Sequence, residues 1–141
     1  MAHHLSADSA SVFALSFLGD SVYETWCRAQ VLQSTQNPAQ ASRRVVQLVR
    51  CQTQAQLVAL WLPHLSPEEL SVFRRGKNSR PTSPPRHATV REYRWATGLE
   101  CVIGWLHLSD QTPRLLCLLE LPESQSLLFP AAPASSLSVA S

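Results

Sequence analysis

Apolar residues recur at steps of three and four positions along most of this chain, which is the spacing of one face of an α-helix. The longest such segment runs from about residue 9 to residue 32 and carries Val12, Leu15, Leu18 and Val22. Shorter segments of the same kind follow at about 38–51, 53–62, 66–76, 89–108 and 113–119. The pattern predicts an all-α fold of six helices.

Polar residues mark where several of these helices begin. Asn37 precedes Pro38 at the start of the second segment, and the fourth and fifth begin with Ser66 and Thr89, each followed three positions later by glutamate. Such residues cap the free backbone N–H groups of a first helical turn. Residues 77–88 contain three prolines, so we expect a long irregular loop between the fourth and fifth helices.

Length and composition indicate one domain with a core, since the chain has 141 residues and 45% of them are apolar. We expect a flexible N-terminus at residues 1–8, the helical domain at residues 9–120 and a disordered tail rich in Pro, Ala and Ser at residues 121–141. The N-terminus lacks the apolar segment of a signal peptide, and no apolar run reaches about 18 residues. We therefore expect a cytoplasmic protein that does not enter the membrane.

Four cysteines are widely spaced along the chain, at Cys27, Cys51, Cys101 and Cys117. They form no C-x-x-C pair, and most of them have apolar neighbours. Two interpretations are open: partly buried, reduced thiols, or ligands of a zinc site. The spacing favours reduced thiols.

Positive charge is concentrated in one part of the chain, although the net charge is only +2. Seven of the twelve lysine and arginine residues lie between residues 74 and 94, where Glu92 is the only acid. A charged segment of this kind is usually a solvated surface. It also suits contact with a nucleic acid, because arginine can donate two parallel hydrogen bonds to a phosphate.

Acidic residues lie within two of the apolar helices. Asp20 and Glu24 are four positions apart on one face of the first helix, and Glu100 lies in the middle of the fifth. Gly19 precedes Asp20 and Gly104 follows Glu100, so another helix can approach closely at these points. An isolated buried carboxylate is unfavourable for stability. If the two helices pack together, Asp20 and Glu100 converge and offer the oxygen ligands that Mg²⁺ takes.

Three sequence blocks resemble the signatures of Mini-ribonuclease III, the short bacterial branch of the ribonuclease III family that has the catalytic domain without a double-stranded-RNA-binding domain. The blocks are FLGDSVYE at residues 17–24, FRRGKN at 73–78 and YRWATGLECVIGWL at 93–106. The likeness covers about residues 9–119, and the blocks follow the order of the family.

The resemblance implies an all-α endonuclease that forms a two-fold homodimer, cleaves double-stranded RNA with Mg²⁺ and leaves 5′-phosphate ends. Its substrates would be precursors of large-subunit (23S) ribosomal RNA, with a ribosomal protein or pre-ribosomal particle as a further candidate partner. The catalytic acids of the family correspond to Asp20 and Glu100, which would also bind the metal. Glu24 is a candidate outer-sphere ligand.

The basic segment would hold the RNA, because no other module is available for that role. Duplex RNA is recognised largely by shape and through its phosphates and 2′-hydroxyl groups. The candidate contacts are Arg74, Arg75, Lys77, Asn78, Arg80, Arg86 and His87.

Some acids of the longer ribonuclease III enzymes are absent, because the corresponding positions hold Phe13, Ser16 and Thr97. The short branch resembles this chain in its reduced acidic set, and the number of metal ions stays open. The alternative hypothesis is a non-catalytic ribonuclease III-like protein that binds RNA or the ribosome. Retention of Asp20 and Glu100 favours the enzyme.

Overall fold

Seven α-helices and one 3₁₀ turn make up the described parts of the computed structural model, residues 5–79 and 86–130, which contain no strand. The α-helices are α1 (Val12–Leu32), α2 (Pro38–Val49), α3 (Cys51–Trp61), α4 (Pro67–Lys77), α5 (Val90–Leu108), α6 (Thr112–Leu119) and α7 (Pro122–Leu128); the 3₁₀ turn is Leu62–His64. The all-α prediction is confirmed. Within the described ranges, none of the helices has the length and apolar character needed to cross a membrane.

Side-chain caps begin four of the helices. Ser11 and Asn37 accept hydrogen bonds from backbone N–H groups in the first turns of α1 and α2, at 3.1 and 3.0 Å. Ser66 and Thr89 form reciprocal capping boxes with the glutamates three positions later, at the starts of α4 and α5. The starts predicted at Asn37, Ser66 and Thr89 are therefore confirmed, and each cap satisfies backbone donors that the helix leaves free.

The second and third helices are nearly continuous, a feature that the sequence pattern does not indicate. Arg50 alone adopts an extended conformation between them, and α3 begins at Cys51 rather than at Thr53. Thr53 is buried inside α3, where its hydroxyl donates a hydrogen bond of 2.6 Å to the carbonyl of Gln47. Thr53 therefore joins the two helices instead of capping one.

The domain extends beyond residue 120, so the predicted start of a disordered tail at residue 121 is wrong. Residues 122–128 form α7, in which the fully buried Ser124 hydroxyl accepts a 3.0 Å hydrogen bond from Trp61 and donates one of 2.8 Å to the carbonyl of Leu118. Phe129 packs on Trp26 with ring centroids 5.9 Å apart. The Pro-, Ala- and Ser-rich composition of residues 121–141 as a whole hid a short apolar run, which anchors α7 to the core. Residues 1–4 and 131–141 of the predicted termini lie outside the described residues.

Helix α5 lies at the centre of the molecule, with α1, α3 and α4 packed around it. Leu99, Val102, Ile103 and Leu106 of α5 have no exposed surface. The middle of α5 is apolar on most sides, and such a surface is buried because it gains nothing from contact with water. The central position of α5 also places Glu100 inside the bundle, close to α1.

Glycines allow the backbones of α1 and α5 to touch. A Cβ atom at Gly19 would overlap the carbonyl oxygen of Glu100, and one at Gly104 would overlap the carbonyl oxygen of Leu15. Both glycines thus allow α1 and α5 to pack at a distance that leaves no room for a side chain. The contact surrounds the position of the two acids singled out in the sequence.

An ion pair with a buried glutamate joins α4 to α6. Glu69 is 2% exposed and accepts two hydrogen bonds from Arg114, at 2.9 and 3.0 Å, while Arg114 also donates to the carbonyl of His64 at 2.7 Å. Burial raises the pKa of Glu69, but the hydrogen bonds from Arg114 and Ser66 outweigh burial and leave the pKa below its ordinary value. Arg114 therefore has a structural role, because it links α6 to α4 and to the 3₁₀ turn.

We expect Gly104→Ala to lower the free energy of unfolding by roughly 1–3 kcal/mol, because its methyl group would meet the backbone of Leu15. Alanine is favoured over glycine in helices by only about 1 kcal/mol, which is too little to offset that overlap. Urea denaturation would measure the change. Ser21→Ala, at an exposed position on α1, is the control and should be close to neutral; an equally small effect of Gly104→Ala would contradict the close contact.

Candidate active site and basic face

The carboxyl groups of Asp20 and Glu100 lie within hydrogen-bonding reach of each other. Asp20 follows Gly19 on the exposed side of α1, and Glu100 is half-buried on α5. The backbone contact between Gly19 and Glu100 brings the two side chains together, as the sequence analysis expected if these helices packed. We call Asp20 and Glu100 the acid pair.

The acid pair favours a proton or a cation over two free negative charges. Burial raises the pKa of Glu100, and the hydrogen bond to Asp20 and the charge of Asp20 raise it further, to about 9. A hydrogen bond between two carboxyl groups requires a proton on one of them. Burial and the neighbouring Asp20 therefore favour the neutral form of Glu100 when no cation is bound.

The surroundings of the acid pair suit a hard cation. Two carboxylates with one open side match Mg²⁺, which completes its shell with water and substrate phosphate. Among the described residues no group of three or more His, Cys, Asp or Glu side chains could hold a metal ion. Burial raises the pKa of the nearby Cys51 thiol, and Glu100, Glu92 and Asp20 raise it further, so Cys51 stays neutral and offers no thiolate. The donors of the site are thus oxygens.

All four cysteines are free thiols. Burial raises the pKa of Cys27 and of Cys101 to about 12, so both behave as small apolar residues of the core. Cys117 is exposed on α6. The zinc-site interpretation has no support in this arrangement, and the reduced-thiol interpretation fits it.

Glu24 already has a partner. Its carboxylate accepts a 2.9 Å hydrogen bond from Arg28 one turn along α1, and both residues line a groove of about 370 Å³ between α1 and α2. The same helix face carries Asp20, yet Glu24 points toward this arginine. An exposed ion pair of this kind contributes little to stability. An outer-sphere role for Glu24 gains no support from this contact.

The predicted RNA contacts lie on a basic face formed by the end of α4 and the start of α5. Arg74, Arg86 and His87 are exposed, and Lys77 lies over the ring of Phe73 at 6.0 Å. Asn78 is the C-terminal cap of α4, and Arg80 lies outside the described residues. These positions leave most of the cations available to a ligand.

Arg75 differs from the other candidates. Its guanidinium donates a 3.2 Å hydrogen bond to the carbonyl of Ala10, which ties α4 to the segment that precedes α1. His87 also takes part in the fold through its carbonyl, which accepts a 2.6 Å hydrogen bond from Gln52 of α3. These two contacts fix the ends of the basic face to the bundle.

Two arginines of α5 were missing from the predicted RNA contacts. Arg91 and Arg94 line a groove of about 290 Å³ together with Lys77, Asn78, Val90 and Trp95; we call it the basic groove. Their separation of three positions places both arginines on one side of α5. That spacing is visible in the sequence, where the apolar positions of the same segment predict a core helix.

A pair of exposed phenylalanines lies on α1 close to the acid pair. Phe13 and Phe17 are each 70% exposed and stack with ring centroids 5.2 Å apart. They are one turn apart, and Asp20 is one turn further along the same face. Large aromatic rings exposed side by side are typical of an interaction surface.

Comparisons with known proteins agree on one family. The sequence model of the ribonuclease III domain matches residues 14–111. Mini-ribonuclease 3 of Desulfitobacterium hafniense is 39% identical over 111 residues, which is 78% of this chain and 70% of that protein. Mini-ribonuclease 3 of Synechocystis is 39% identical over 121 residues, 84% of each chain. The crystal structure of protein FN1578 from Fusobacterium nucleatum has a TM-score of 0.73 at 29% identity, covering 79% of this chain and 89% of that one.

In metal-free protein, we expect Glu100→Gln to raise the free energy of unfolding at pH 7 by on the order of 1–3 kcal/mol. The unfolded Glu100 releases its proton near pH 4.5 and the folded one near pH 9, so the parent loses stability as pH rises between these values. The free energy of unfolding of the variant should not show this decrease as pH rises. Urea denaturation with a chelator at pH 5, 7 and 9 would measure both effects, and parallel profiles for parent and variant would contradict the burial of this acid.

Proposed function

The chain belongs to the ribonuclease III family, in its short Mini-ribonuclease III branch, and from this premise we propose that it is a metal-dependent endoribonuclease of double-stranded RNA. The observation that carries the proposal is the acid pair: two carboxyl groups from different helices in mutual contact. Family membership makes the chain a ribonuclease. The substrate, the metal and the products are what we propose.

Asp20 and Glu100 would hold a magnesium ion between their carboxylates. Their two carboxylates, the open side of the exposed Asp20 and the absence of a thiolate fit that ion. When bound, Mg²⁺ would supply a Lewis acid that activates water and stabilises the leaving 3′ oxygen. Products with 5′-phosphate and 3′-hydroxyl ends are expected from that chemistry.

The protein's own contribution is mainly to hold and orient groups. Glu100 is fixed by the central helix, and the backbone contact with Gly19 sets its distance from Asp20. Asp20 is exposed, so a phosphodiester could reach it from solvent. Arg74 and Lys77, with the rest of the basic face, would hold the phosphates of both strands and so keep the reacting phosphate beside the acid pair.

We infer that the natural substrate is a precursor of 23S ribosomal RNA in the cytoplasm. The basic face offers arginine and lysine donors rather than a surface shaped to read bases, which suits recognition of a duplex by shape and phosphate. A folded precursor, with a ribosomal protein or pre-ribosomal particle as a further partner, could then restrict cleavage to one place. The support for this substrate is family membership.

A two-fold homodimer is the assembly that we propose. Phe13 and Phe17 are the exposed aromatic pair of α1, and a second copy would cover them. An isologous interface at this face would lie one turn from Asp20 in each protomer. Two acid pairs would then border the same groove, one for each strand of a duplex.

The alternative function is that of a non-catalytic protein that binds RNA or the ribosome. The basic face alone would be sufficient for such binding. A contact between two carboxyl groups that costs stability has no evident use in such a protein. The acid pair therefore favours the nuclease.

Cleavage of a labelled RNA duplex tests the nuclease. We expect cleavage by the parent with Mg²⁺, none with a chelator, and a loss of at least about a hundredfold in Asp20→Asn and Glu100→Gln, because each removes a charged metal ligand. Glu120→Gln, an exposed acid at the end of α6, is the matched control and should cleave like the parent. Duplex binding without cleavage under any divalent metal, on short duplexes and on precursor ribosomal RNA alike, would favour the alternative.

Sedimentation of Phe17→Glu tests the assembly. A charge at this exposed position should leave the fold unchanged and should convert a dimer to a monomer, because a buried unpaired carboxylate opposes association. Val90→Glu, which changes another exposed apolar residue, serves as the control and should stay dimeric. A parent that sediments as a monomer at all concentrations would contradict the dimer.

A further inference from the structure

Three side chains stack in order from the core to the surface at the start of α5. Phe73 of α4 is buried, and its ring meets the half-buried ring of Trp95 edge to face at a centroid distance of 5.4 Å. The guanidinium carbon of Arg91 lies 4.4 Å from the centre of the Trp95 ring. Arg91 is exposed, yet this stack connects it to the packed interior.

Arg91 and Trp95 form a ridge between two grooves. On one side is the basic groove, with Lys77 and Arg94. On the other side is a groove of about 250 Å³ between α3 and α5, lined by Gln52, Ala55, Gln56, Ala59, Arg91, Glu92 and Trp95. A ligand in either groove could therefore reach the same guanidinium.

Charge pairing and the helix dipole do not account for the position of Arg91. It lies in the first turn of α5, a helix of 19 residues whose N-terminus carries partial positive charge and disfavours a cation. Within residues 5–79 and 86–130, Arg91 forms no ion pair within 4.0 Å. The neighbouring Glu92 accepts a hydrogen bond from the Thr89 backbone in the capping box. The charge of Arg91 thus lies over the Trp95 ring and lacks an acidic partner among the described residues.

We propose that Arg91 binds a phosphate of duplex RNA on this ridge and that Trp95 is the positioning residue that holds its guanidinium. The inference rests on the proposed function, since it names a further contact for the same substrate. Stacking occupies the face of the guanidinium and leaves the N–H donors at its edge free. Two parallel hydrogen bonds to one phosphate are the contact that this arrangement suits, and a lysine could not reproduce them.

Duplex binding by Arg91→Gln tests the phosphate contact. With a fluorescent RNA duplex and a chelator to prevent cleavage, we expect Kd to rise about tenfold. The slope of log Kd against log salt should fall by about one. Arg91→Lys should restore the slope and only part of the affinity. Arg43→Gln removes a charge from the exposed side of α2, away from both grooves, and should change neither quantity.

Substitutions of Trp95 test positioning. Trp95→Phe keeps an aromatic face and should bind close to the parent, whereas Trp95→Leu should bind about as weakly as Arg91→Gln. The double variant Arg91→Gln/Trp95→Leu should bind no more weakly than Trp95→Leu alone. Additive losses would overturn the positioning role, and thermal unfolding of each variant would identify losses due to a damaged core.

The two proposals fail in different ways. If the parent cleaves duplex RNA with Mg²⁺ while Arg91→Gln keeps the affinity and salt slope of the parent, the phosphate contact is wrong and the nuclease stands. If the parent neither binds nor cleaves a duplex, both proposals fall. A tenfold loss with a reduced salt slope, absent in Arg43→Gln, supports the contact at Arg91.

Discussion

The backbone contact between α1 and α5 is the constraint on which the rest of this molecule depends. Gly19 and Gly104 let the two helices touch, and that distance brings Asp20 next to Glu100. The same backbone contact therefore determines both the packing at the centre of the bundle and the geometry of the candidate site. A side chain at either glycine would separate the helices and with them the two carboxyl groups.

Placing an acid at this contact costs stability, and α5 supplies the compensation. A pKa raised from 4.5 to about 9 corresponds to several kcal/mol at alkaline pH and to about half of that at neutral pH. Leu99, Val102, Ile103 and Leu106 of the same helix are completely buried, and each contributes roughly 1.5–3 kcal/mol. The apolar side chains outweigh the acid, so the helix can carry a destabilising group at its centre. A carboxylate held at this position can bind a cation.

The arginines divide into those that hold the fold and those that line the basic groove. Arg114 pairs with the buried Glu69, and Arg75 binds the carbonyl of Ala10, so both link elements of the bundle. Arg91 and Arg94 line the basic groove instead. The sequence does not distinguish these two groups. It shows the positions of the arginines but not whether each one pairs with a group of the protein or stays available to a phosphate.

Local chemistry in the sequence determined the helices and most of their starts. The caps at Asn37, Ser66 and Thr89 need only neighbouring residues, and the three signature blocks identified the family. Tertiary structure alone decided the short helix α7, the partner of Arg75 and the contact of Trp95 with Phe73. The convergence of Asp20 and Glu100 could be expected only on the condition that their helices packed. These features depend on groups far apart in the chain, and their distances are set by packing, which a periodic pattern along the sequence does not contain.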